Sequence, residues 1–314
     1  MQVFLPLPMR PTIVNVYLVR AGAEWTLIDT GMNTEDSVAA FRGALADVGI
    51  APERITRLVG THHHVDHFGT SGPYRTLTHA QVWLHPLEAE RATLTGHVGG
   101  ESTDHLRLHG VPDVPADQRL PPPSRFFGTW YAPAAPDHLL GDEDEIPLGD
   151  GRSLEAIWTP GHTRGHLCFL HERTRSLFSG DHIPGGKGTV IIDPPEGDMR
   201  AYIASLWRLL ALPIDTLFPA HGSPQGAAER RIRGLIEHRL EREAKVSAAL
   251  DFEPRTLREL VERAYADTPR ELWGYAERSL LAHLMALKED GRAEVEGERW
   301  RTGERRCVPA PRGE

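Results

Sequence analysis

One seven-residue segment brings several metal-binding side chains together. It consists of Thr61, His62, His63, His64, Val65, Asp66 and His67. His62 and His64 are two positions apart, so in an extended segment both side chains leave the same face. Asp66 and His67 follow directly, and a turn there would direct them toward the same point. Imidazole and carboxylate ligands together suit zinc, and to a lesser degree iron, manganese or nickel. The spacing therefore predicts a metal site in this loop.

Three later segments place histidine or aspartate where an apolar, strand-like run ends. The runs cover residues 154–158, 176–178 and 216–218, and the side chains that follow them include His162, Asp181 and His221. Loops at the ends of separate strands can bring their side chains to one site. We therefore expect these residues to join the histidine-rich loop in a single centre.

In this order, the four motifs resemble those of the metallo-β-lactamase superfamily, over residues 1 to about 225. The resemblance implies an α/β protein whose catalytic domain is a four-layer αββα sandwich with a site for two metal ions. The positions that match the ligands of the first ion are His62, His64 and His162. The positions that match those of the second ion are Asp66, His67 and His221. Asp181 matches the carboxylate that bridges the two ions. A histidine at position 64, rather than glutamate, disfavours the diiron flavoprotein branch.

The chemistry implied by this resemblance is metal-dependent hydrolysis. Two ions about 3.5–4 Å apart can hold a bridging hydroxide and a substrate oxygen together, and a bound ion lowers the pKa of water from about 15.7 to near 7. We expect two zinc ions as cofactors, with iron or manganese as the other candidates. The leading hypothesis is attack on a small-molecule thioester, ester or lactone, the chemistry of glyoxalase II. Asp66 is also assigned a catalytic role, because it could accept or relay a proton.

Other histidines near the motifs are not expected to be metal ligands. His63 should point away from its two neighbours on an extended strand, toward the surface or toward an outer hydrogen-bond partner. His166 and His182 should hold loops or orient ligands by hydrogen bonds. For Asp29, which follows the predicted strand Glu24–Ile28, we weigh a hydrogen bond to the site against capping of the turn and favour capping.

Composition is that of an ordinary globular protein. The chain has 314 residues, a net charge of −9 and two cysteines, Cys168 and Cys307. Two cysteines are too few for a disulfide framework. No run approaches the roughly 18 apolar residues of a membrane span, and the N-terminus lacks a signal-peptide pattern. We expect a cytoplasmic protein without a membrane partner.

The regular elements expected before the insert are strands and one helix. Thr12–Val19 and Glu24–Ile28 are predicted to pair, and Arg57–Thr61 is predicted to be the strand that leads into the histidine-rich loop. A helix should begin after Thr34 and end at Gly49, which suits a C-terminal cap.

The segment from about 86 to 147 is predicted to be an irregular insert rich in proline. Long loops in compact domains are usually functional or disordered. Its aromatic residues could form a wall of the substrate pocket, a small core of their own or a homodimer contact, and the last two are favoured together. These aromatic residues are Phe126, Phe127, Trp130 and Tyr131.

The loop after Asp181 is the other candidate for substrate contact. It carries Lys187 and Thr189, which we assign as weak substrate-binding candidates. Asp198 should cap a helix that carries an apolar stripe from Tyr202 to Leu209.

After His221 the pattern changes to a predicted winged helix. Residues 1–226 are expected to form the catalytic domain and residues 227–314 the second domain. Three helices and a strand–turn–strand follow one another, and Thr256 with Glu259 forms a capping box. This tail resembles that of the β-lactamase-like-protein-2 branch of the superfamily, a group that contains an endoribonuclease, thioesterase relatives and members of unknown substrate.

The alternative function is a metal-dependent endoribonuclease or phosphodiesterase whose winged helix holds single-stranded RNA. Charge disfavours it. From Ala228 onward, 18 basic residues are matched by 18 acidic ones, and the preceding part carries the whole net charge of −9. Nucleic-acid binding relies on neutralising phosphates, so a basic stripe would be expected. A structural or subunit-contact role for the wing is favoured. A regulatory protein with a vestigial site is opposed by the seven intact ligand positions, and an iron persulfide dioxygenase by the missing Arg-x-Asp-Phe-Gln segment.

Overall fold

Two six-stranded mixed sheets form the centre of the N-terminal part. The computed structural model describes residues 1–93 and 130–303. The first sheet has its strands in chain order: β1 Gln2–Pro6, β2 Ile13–Ala21, β3 Glu24–Ile28, β4 Ile55–Val59, β5 Gln81–Leu84 and β6 His138–Leu139. The second sheet also has its strands in chain order from one edge to the other: β7 Glu145–Gly149, β8 Arg152–Trp158, β9 Leu167–His171, β10 Ser176–Gly180, β11 Thr216–Pro219 and β12 Gln225–Gly226.

One parallel strand pair inside each sheet brings the motif-bearing loops to one edge. β3 and β4 are parallel, and Ile28 pairs with Val59 at their carboxyl ends. Asp29 and the histidine-rich loop therefore leave the first sheet side by side. In the second sheet β10 and β11 are parallel, with Phe178 opposite Phe218. The loops after these two strands are consequently neighbours as well.

Helices cover the outer face of each sheet. Those on the first sheet are α1 Glu35–Asp47, α2 Val65–Phe68, α3 Ser71–Thr78 and α4 Pro86–Thr93. Those on the second sheet are α5 Met199–Leu210 and the first half of α6 Ala228–Ala249, whose second half packs in the winged-helix core. The β2 side chains alternate, as the two-residue period requires: Val16 and Leu18 pack toward α1, while Tyr17 packs between the sheets against Phe178. The predicted αββα sandwich is confirmed.

The predicted first helix has the expected capping. The Thr34 side chain accepts a hydrogen bond from the backbone N–H of Ser37, and Phe41 and Leu45 are buried against the sheet. Gly49, just beyond the helix, has a φ of +67°, a conformation that glycine adopts without strain. The paired strands β2 and β3 are also where the sequence predicts them.

The C-terminal part is a winged helix, as predicted. It contains α7 Leu257–Ala264, α8 Trp273–Glu289 and a three-stranded sheet of β13 Arg255–Thr256, β14 Ala293–Glu296 and β15 Arg299–Thr302. The Thr256–Glu259 capping box is formed at the start of α7. Short 3₁₀ turns lie at Pro52–Arg54, Glu172–Thr174 and Arg270–Leu272. Within the described residues, no helix is both long and apolar enough to cross a membrane.

The two ends of the predicted insert contain regular structure. α4 is at its start, and β6 and most of β7 are at its end. β6 pairs with β5 at the edge of the first sheet, and β7 pairs with β8 at the edge of the second. Trp130 is partly buried against the core of the first sheet, and Tyr131 is buried. Phe126 and Phe127 lie outside the described residues, so the pocket wall remains a prediction for them.

Candidate metal centre

The histidine-rich loop leaves the carboxyl end of β4 and turns into a single helical turn. His64 is the residue before α2, and its carbonyl accepts the backbone N–H groups of His67 and Phe68. Asp66 and His67 lie inside that turn. The change from extended chain to helix gives these two side chains a different direction from that of His62 and His64. The loop thereby supplies two separate groups of candidate ligands.

The first group consists of His62, His64 and His162. His64 Nδ1 lies 2.9 Å from His62 Nε2 and 3.1 Å from His162 Nε2. Nitrogen ligands about 2.0–2.1 Å from a tetrahedral ion are about 3.3 Å apart. The three rings are therefore spaced as ligands of one ion.

The second group consists of Asp66, His67 and His221. Asp66 Oδ2 lies 3.2 Å from His221 Nε2 and 3.7 Å from His67 Nε2. All three candidate ligand atoms lie within 4.8 Å of one another. This group is the second candidate ion site, and its residues come from α2 and from the loop after β11.

Asp181 lies between the two groups. Its Oδ2 is 3.5 Å from His162 Nε2, while its Oδ1 is 3.3 Å from His67 Nε2 and 3.4 Å from His221 Nε2. One oxygen thus faces each group, which is the arrangement that a bridging carboxylate requires.

Hydrogen bonds on the outer side of the rings select which nitrogen faces the centre. His162 Nδ1 and His221 Nδ1 each lie 3.0 Å from a backbone carbonyl, those of Ile191 and Ile13. His62 Nδ1 is 3.0 Å from the Thr61 hydroxyl. Because a carbonyl can only accept, the Nδ1 atoms of the first two rings carry the proton and their Nε2 atoms are free to bind a metal.

Asp29 holds His67 in the same way. Its Oδ2 is 2.9 Å from His67 Nδ1, and its Oδ1 accepts the backbone N–H of Thr61 at 2.8 Å. The hydrogen bond to the site, the less favoured of the two roles expected for Asp29, is therefore the one that the structure shows. The parallel pairing of β3 with β4 brings the carboxylate under the loop, where it is buried and orients a candidate ligand.

The donor set fits two cations. His67 Nε2 and Asp181 Oδ1 are buried and lie 3.3 Å apart, yet neither makes a hydrogen bond of normal geometry. In the first group, His64 Nδ1 faces His62 Nε2 and His162 Nε2 at about 3 Å, and the Ile191 carbonyl leaves His162 Nε2 with a free lone pair. Such lone pairs repel unless a cation lies between them. Burial of unpaired polar groups is costly, and metal ions at the two positions would satisfy all of these atoms.

The pKa values of the candidate ligands differ between the two groups. Burial, reinforced by the neighbouring His64, lowers the pKa of His162 to about 4. For His221, burial lowers the pKa, but Asp181 and Asp66 outweigh it and raise the pKa to about 9. Burial also opposes ionisation of Asp66, yet His67 and His221 outweigh it and bring its pKa to about 2. In the metal-free site the carboxylates and imidazoles of the second group thus stabilise each other's charged forms.

His166 also takes part, as predicted, by a hydrogen bond outside the ligand set. Its Nε2 accepts the backbone N–H of Asp181 at 3.2 Å, and its Nδ1 is 2.9 Å from the Thr159 hydroxyl. Burial and the nearby His162 lower its pKa to about 3, which keeps Nε2 an acceptor. His182 instead lies buried beside the ring of Tyr202, with the ring centres 4.6 Å apart.

Two glutamates near the first group were missed by sequence reasoning. Glu88 is buried and bonded to the backbone N–H and ring of His63, and Glu196 lies 3.4 Å from His64 Nε2. His63 is itself buried, and its ring points away from the first group, as expected. Neither glutamate stands at a spacing along the sequence that indicates a ligand, although in the structure Glu196 lies close enough to His63 and His64 to form a further group of potential ligand atoms. For Glu196 the one available signal was its position just before the helix that Asp198 is predicted to cap.

Two glycines in the motifs are required by close packing. Gly161 has a φ of +142°, and a Cβ there would collide with the backbone of Tyr202. Gly180 has a φ of +49°, and a Cβ there would lie 2.6 Å from His166 Nε2. Each glycine lets the following loop turn sharply toward the centre, which places His162 and Asp181.

The weak substrate-contact candidates are at the surface. Lys187 and Thr189 are both exposed in the loop between β10 and α5. Ile191, farther along this loop, bonds to His162. The loop therefore borders the centre, and the substrate contacts stay a prediction.

Comparison with known proteins agrees with this geometry. Residues 9–221 match the metallo-β-lactamase superfamily, and residues 256–300 match the β-lactamase-associated winged helix domain. The β-lactamase-like protein 2 homolog of Caenorhabditis elegans is 27% identical over 279 residues, which cover 88% of this chain and 79% of that protein. The probable metallo-hydrolase YqjP of Bacillus subtilis is 27% identical over 274 residues, or 83% of each chain.

Solved structures share the whole fold. The metallo-β-lactamase family protein TTHA1429 of Thermus thermophilus superposes with a TM-score of 0.81 at 26% identity, covering 96% of this chain and 98% of that one. A β-lactamase domain protein from Burkholderia ambifaria has the same fold, with a TM-score of 0.80 at 22% identity over 96% and 91% of the two chains. The chain therefore belongs to the metallo-β-lactamase superfamily of hydrolases, in the group whose catalytic fold is followed by a β-lactamase-associated winged helix.

Proposed function

We propose that this protein is a dinuclear metal-dependent hydrolase that acts on a small-molecule thioester, ester or lactone. The observation that carries the proposal is the position of Asp181, whose two carboxylate oxygens face two separate groups of candidate ligands. In this proposal the first ion is held by His62, His64 and His162. The second ion is held by Asp66, His67 and His221, and Asp181 contacts both.

Bound ions would supply a hydroxide at neutral pH and polarise the oxygen of the substrate. The chain itself contributes orientation. Asp29, Ile13 and Ile191 fix the ring tautomers, and His166 holds the backbone of Asp181. Asp66, with a pKa of about 2, is ionised at neutral pH. It is therefore suited to accept a proton only transiently, while it remains a ligand.

Zinc is the proposed metal at both positions. Imidazole with carboxylate is a donor set that zinc favours, and neutral histidines suit iron as well. The protein TTHA1623, which is 25% identical over 72% of this chain with a TM-score of 0.50, has been solved in a di-iron-bound form. Iron is therefore the second candidate, and manganese the third.

The alternative, an endoribonuclease that uses the winged helix to hold RNA, is less well supported. The helix α8 would have to present a free face to the nucleic acid. Instead, its leucines are buried in the winged-helix core, and Ala282 and Ala286 pack in the core beneath α5 and α6. Arg278 on the same helix pairs with Asp193 at 2.6 Å. These contacts favour a structural role for α8. A homodimer and a cytoplasmic location remain predictions of the sequence.

Metal analysis followed by a substrate panel tests the proposal. We expect about two equivalents of zinc per chain, and His64→Ala should lose both metal and activity. The panel would contain thioesters, esters, lactones, phosphodiesters and single-stranded RNA. Hydrolysis of RNA alone, with binding that weakens steeply as salt rises, would favour the alternative. One equivalent of iron with oxygen uptake on a persulfide would overturn the hydrolase proposal.

A further inference from the structure

We propose that Glu196 is a positioning residue of the first metal site and acts on His64. It belongs to a series of side-chain contacts that runs Glu88–His63–Glu196–His64. The inference rests on the proposed function only in that metal occupies the first group. It gives a role to His63, the histidine of the loop that is not a ligand. It also gives a role to the loop between β10 and α5, which carries Glu196.

The contact series begins at Glu88, a buried carboxylate on α4. Its Oε2 accepts the backbone N–H of His63 at 2.9 Å and lies 2.5 Å from His63 Nδ1. Its Oε1 accepts the Thr163 hydroxyl and the backbone N–H of Gly165, both at 2.7 Å. One side chain thus joins the histidine-rich loop to the loop that carries His162.

His63 passes this connection to Glu196. Its Nε2 lies 3.2 Å from Glu196 Oε1, and Glu196 Oε2 lies 3.4 Å from His64 Nε2. His63 is fully buried, whereas 18% of the Glu196 side chain is exposed. The Glu196 carboxylate therefore lies at the edge of the metal centre, and the buried His63 ring holds it in place.

His64 needs such a partner more than its neighbours do. It is the candidate ligand that faces the first group through Nδ1, whereas His62 and His162 face it through Nε2. A carboxylate beside Nε2 keeps the proton on that atom, so that Nδ1 retains its lone pair for the metal. His62 and His162 have neutral outer partners, Thr61 and the Ile191 carbonyl. Among the described residues, Glu196 is therefore the charged side chain that sets the tautomer of a histidine in the first group, His64.

The test is a metal titration of the whole protein, first stripped of metal. Cobalt(II) absorption and zinc competition against a chelator would follow the two equivalents separately. Glu196→Ala should weaken one equivalent about tenfold to hundredfold, the usual cost of losing such an outer partner, and leave the other unchanged. Glu196→Gln should recover part of that loss, because its amide oxygen still accepts from His64. The matched control is Asp193→Asn, which removes a charge from the same loop at a side chain paired with Arg278.

Four outcomes would overturn the inference. Three are wild-type affinity for both equivalents in Glu196→Ala, equal weakening of both equivalents, and an equal loss in Asp193→Asn. Loss of a third equivalent of metal would also count against it, because His63, His64 and Glu196 would then be binding an ion themselves. Failure of the proposed function is distinct, since it would appear in the unmodified protein as the absence of two bound equivalents. An unchanged melting temperature of each metal-free variant would exclude misfolding.

Discussion

Asp29 and His67 are 38 positions apart in the sequence, yet Asp29 Oδ2 lies 2.9 Å from His67 Nδ1. Asp29 follows β3, and His67 lies in α2, beyond the neighbouring parallel strand β4. The pair leaves His67 Nε2 pointing toward Asp181, 3.3 Å away. A carboxylate that accepts from the far nitrogen of a metal-binding histidine fixes its tautomer and raises its basicity.

The first prediction concerns this pair. Asp29→Asn should weaken the second equivalent of zinc about tenfold to hundredfold, because the amide replaces a charged acceptor. Asparagine is chosen because Asp29 has a φ of +58°, a conformation that asparagine tolerates. The measurement is zinc competition against a chelator. Asp47→Asn, an exposed change at the end of α1, is the control, and equal affinities in the two variants would contradict the prediction.

The second prediction concerns protons released by metal. His221 has a pKa of about 9 in the metal-free site, since Asp181 and Asp66 outweigh the opposing effect of burial. Its ring must lose a proton before Nε2 can bind an ion. Affinity for the second equivalent should therefore rise as the pH increases from 7 toward 9. Calorimetric titration in two buffers of different ionisation enthalpy counts the protons, and zero release at pH 7 would contradict the assignment.

The third prediction is the effect of pH on the stability of the metal-free protein. The raised pKa of His221 stabilises the folded chain fully below pH 6.5, and this contribution is lost as the pH rises through about 9. It amounts to about 3 kcal/mol, at about 1.36 kcal/mol for each unit. Urea unfolding of metal-free protein at pH 6 and pH 9.5 measures the difference. His221→Ala should reduce the decrease but not abolish it, because burial lowers the pKa of His67 while Asp181, Asp66 and Asp29 outweigh it and raise that pKa as well. An unchanged decrease would attribute it to other groups.

The fourth prediction separates the bridging ligand from a ligand of one ion. Asp181→Ala should reduce the affinity for both equivalents, because its two oxygens face both groups. His221→Ala should reduce only one. Loss of a ligand should cost more than the roughly tenfold to hundredfold attributed to outer partners. Metal content after dialysis distinguishes the two variants, and loss of a single equivalent from Asp181→Ala would contradict the bridging role.

The fifth prediction concerns substrate contact by Lys187. This exposed lysine is in the loop that also bonds to His162. If it contacts substrate, Lys187→Ala should raise the KM for anionic substrates about tenfold or more, as expected for losing a hydrogen bond to a charged group. The KM for neutral esters should not change. If Lys187→Ala and the unmodified protein have the same KM for every anionic substrate in the panel, the contact is ruled out.

Much of the fold was predictable because its signals are local. The capping box of Thr256 with Glu259 and the cap at Thr34 depend on residues three positions apart. The strand pair β2–β3 is joined by a short turn. The candidate ligands were identified through motifs in a fixed order, and the structure brings all seven together. The role of Asp29 was misjudged because its partner His67 lies across a parallel strand pair, which no local pattern reveals.

Glu88 and Glu196 were not predictable for the same reason. Glu88 contacts residues 25, 75 and 77 positions away, and Glu196 contacts His64 from 132 positions away. Neither contact has a spacing that can be read along the chain.

By itself, the sequence determined which side chains could bind metal, because imidazole and carboxylate groups at strand ends carry that chemistry wherever they are placed. The resemblance also implied how these residues divide between two ions, but only the tertiary structure supplies the geometry of that division. The turn at His64 separates His62 and His64 from Asp66 and His67, and the parallel pairing of β10 with β11 brings Asp181 between the two groups. The physical reason is distance: coordination and hydrogen bonding act over about 2–3.5 Å, and such separations between distant residues exist only after the two sheets have packed.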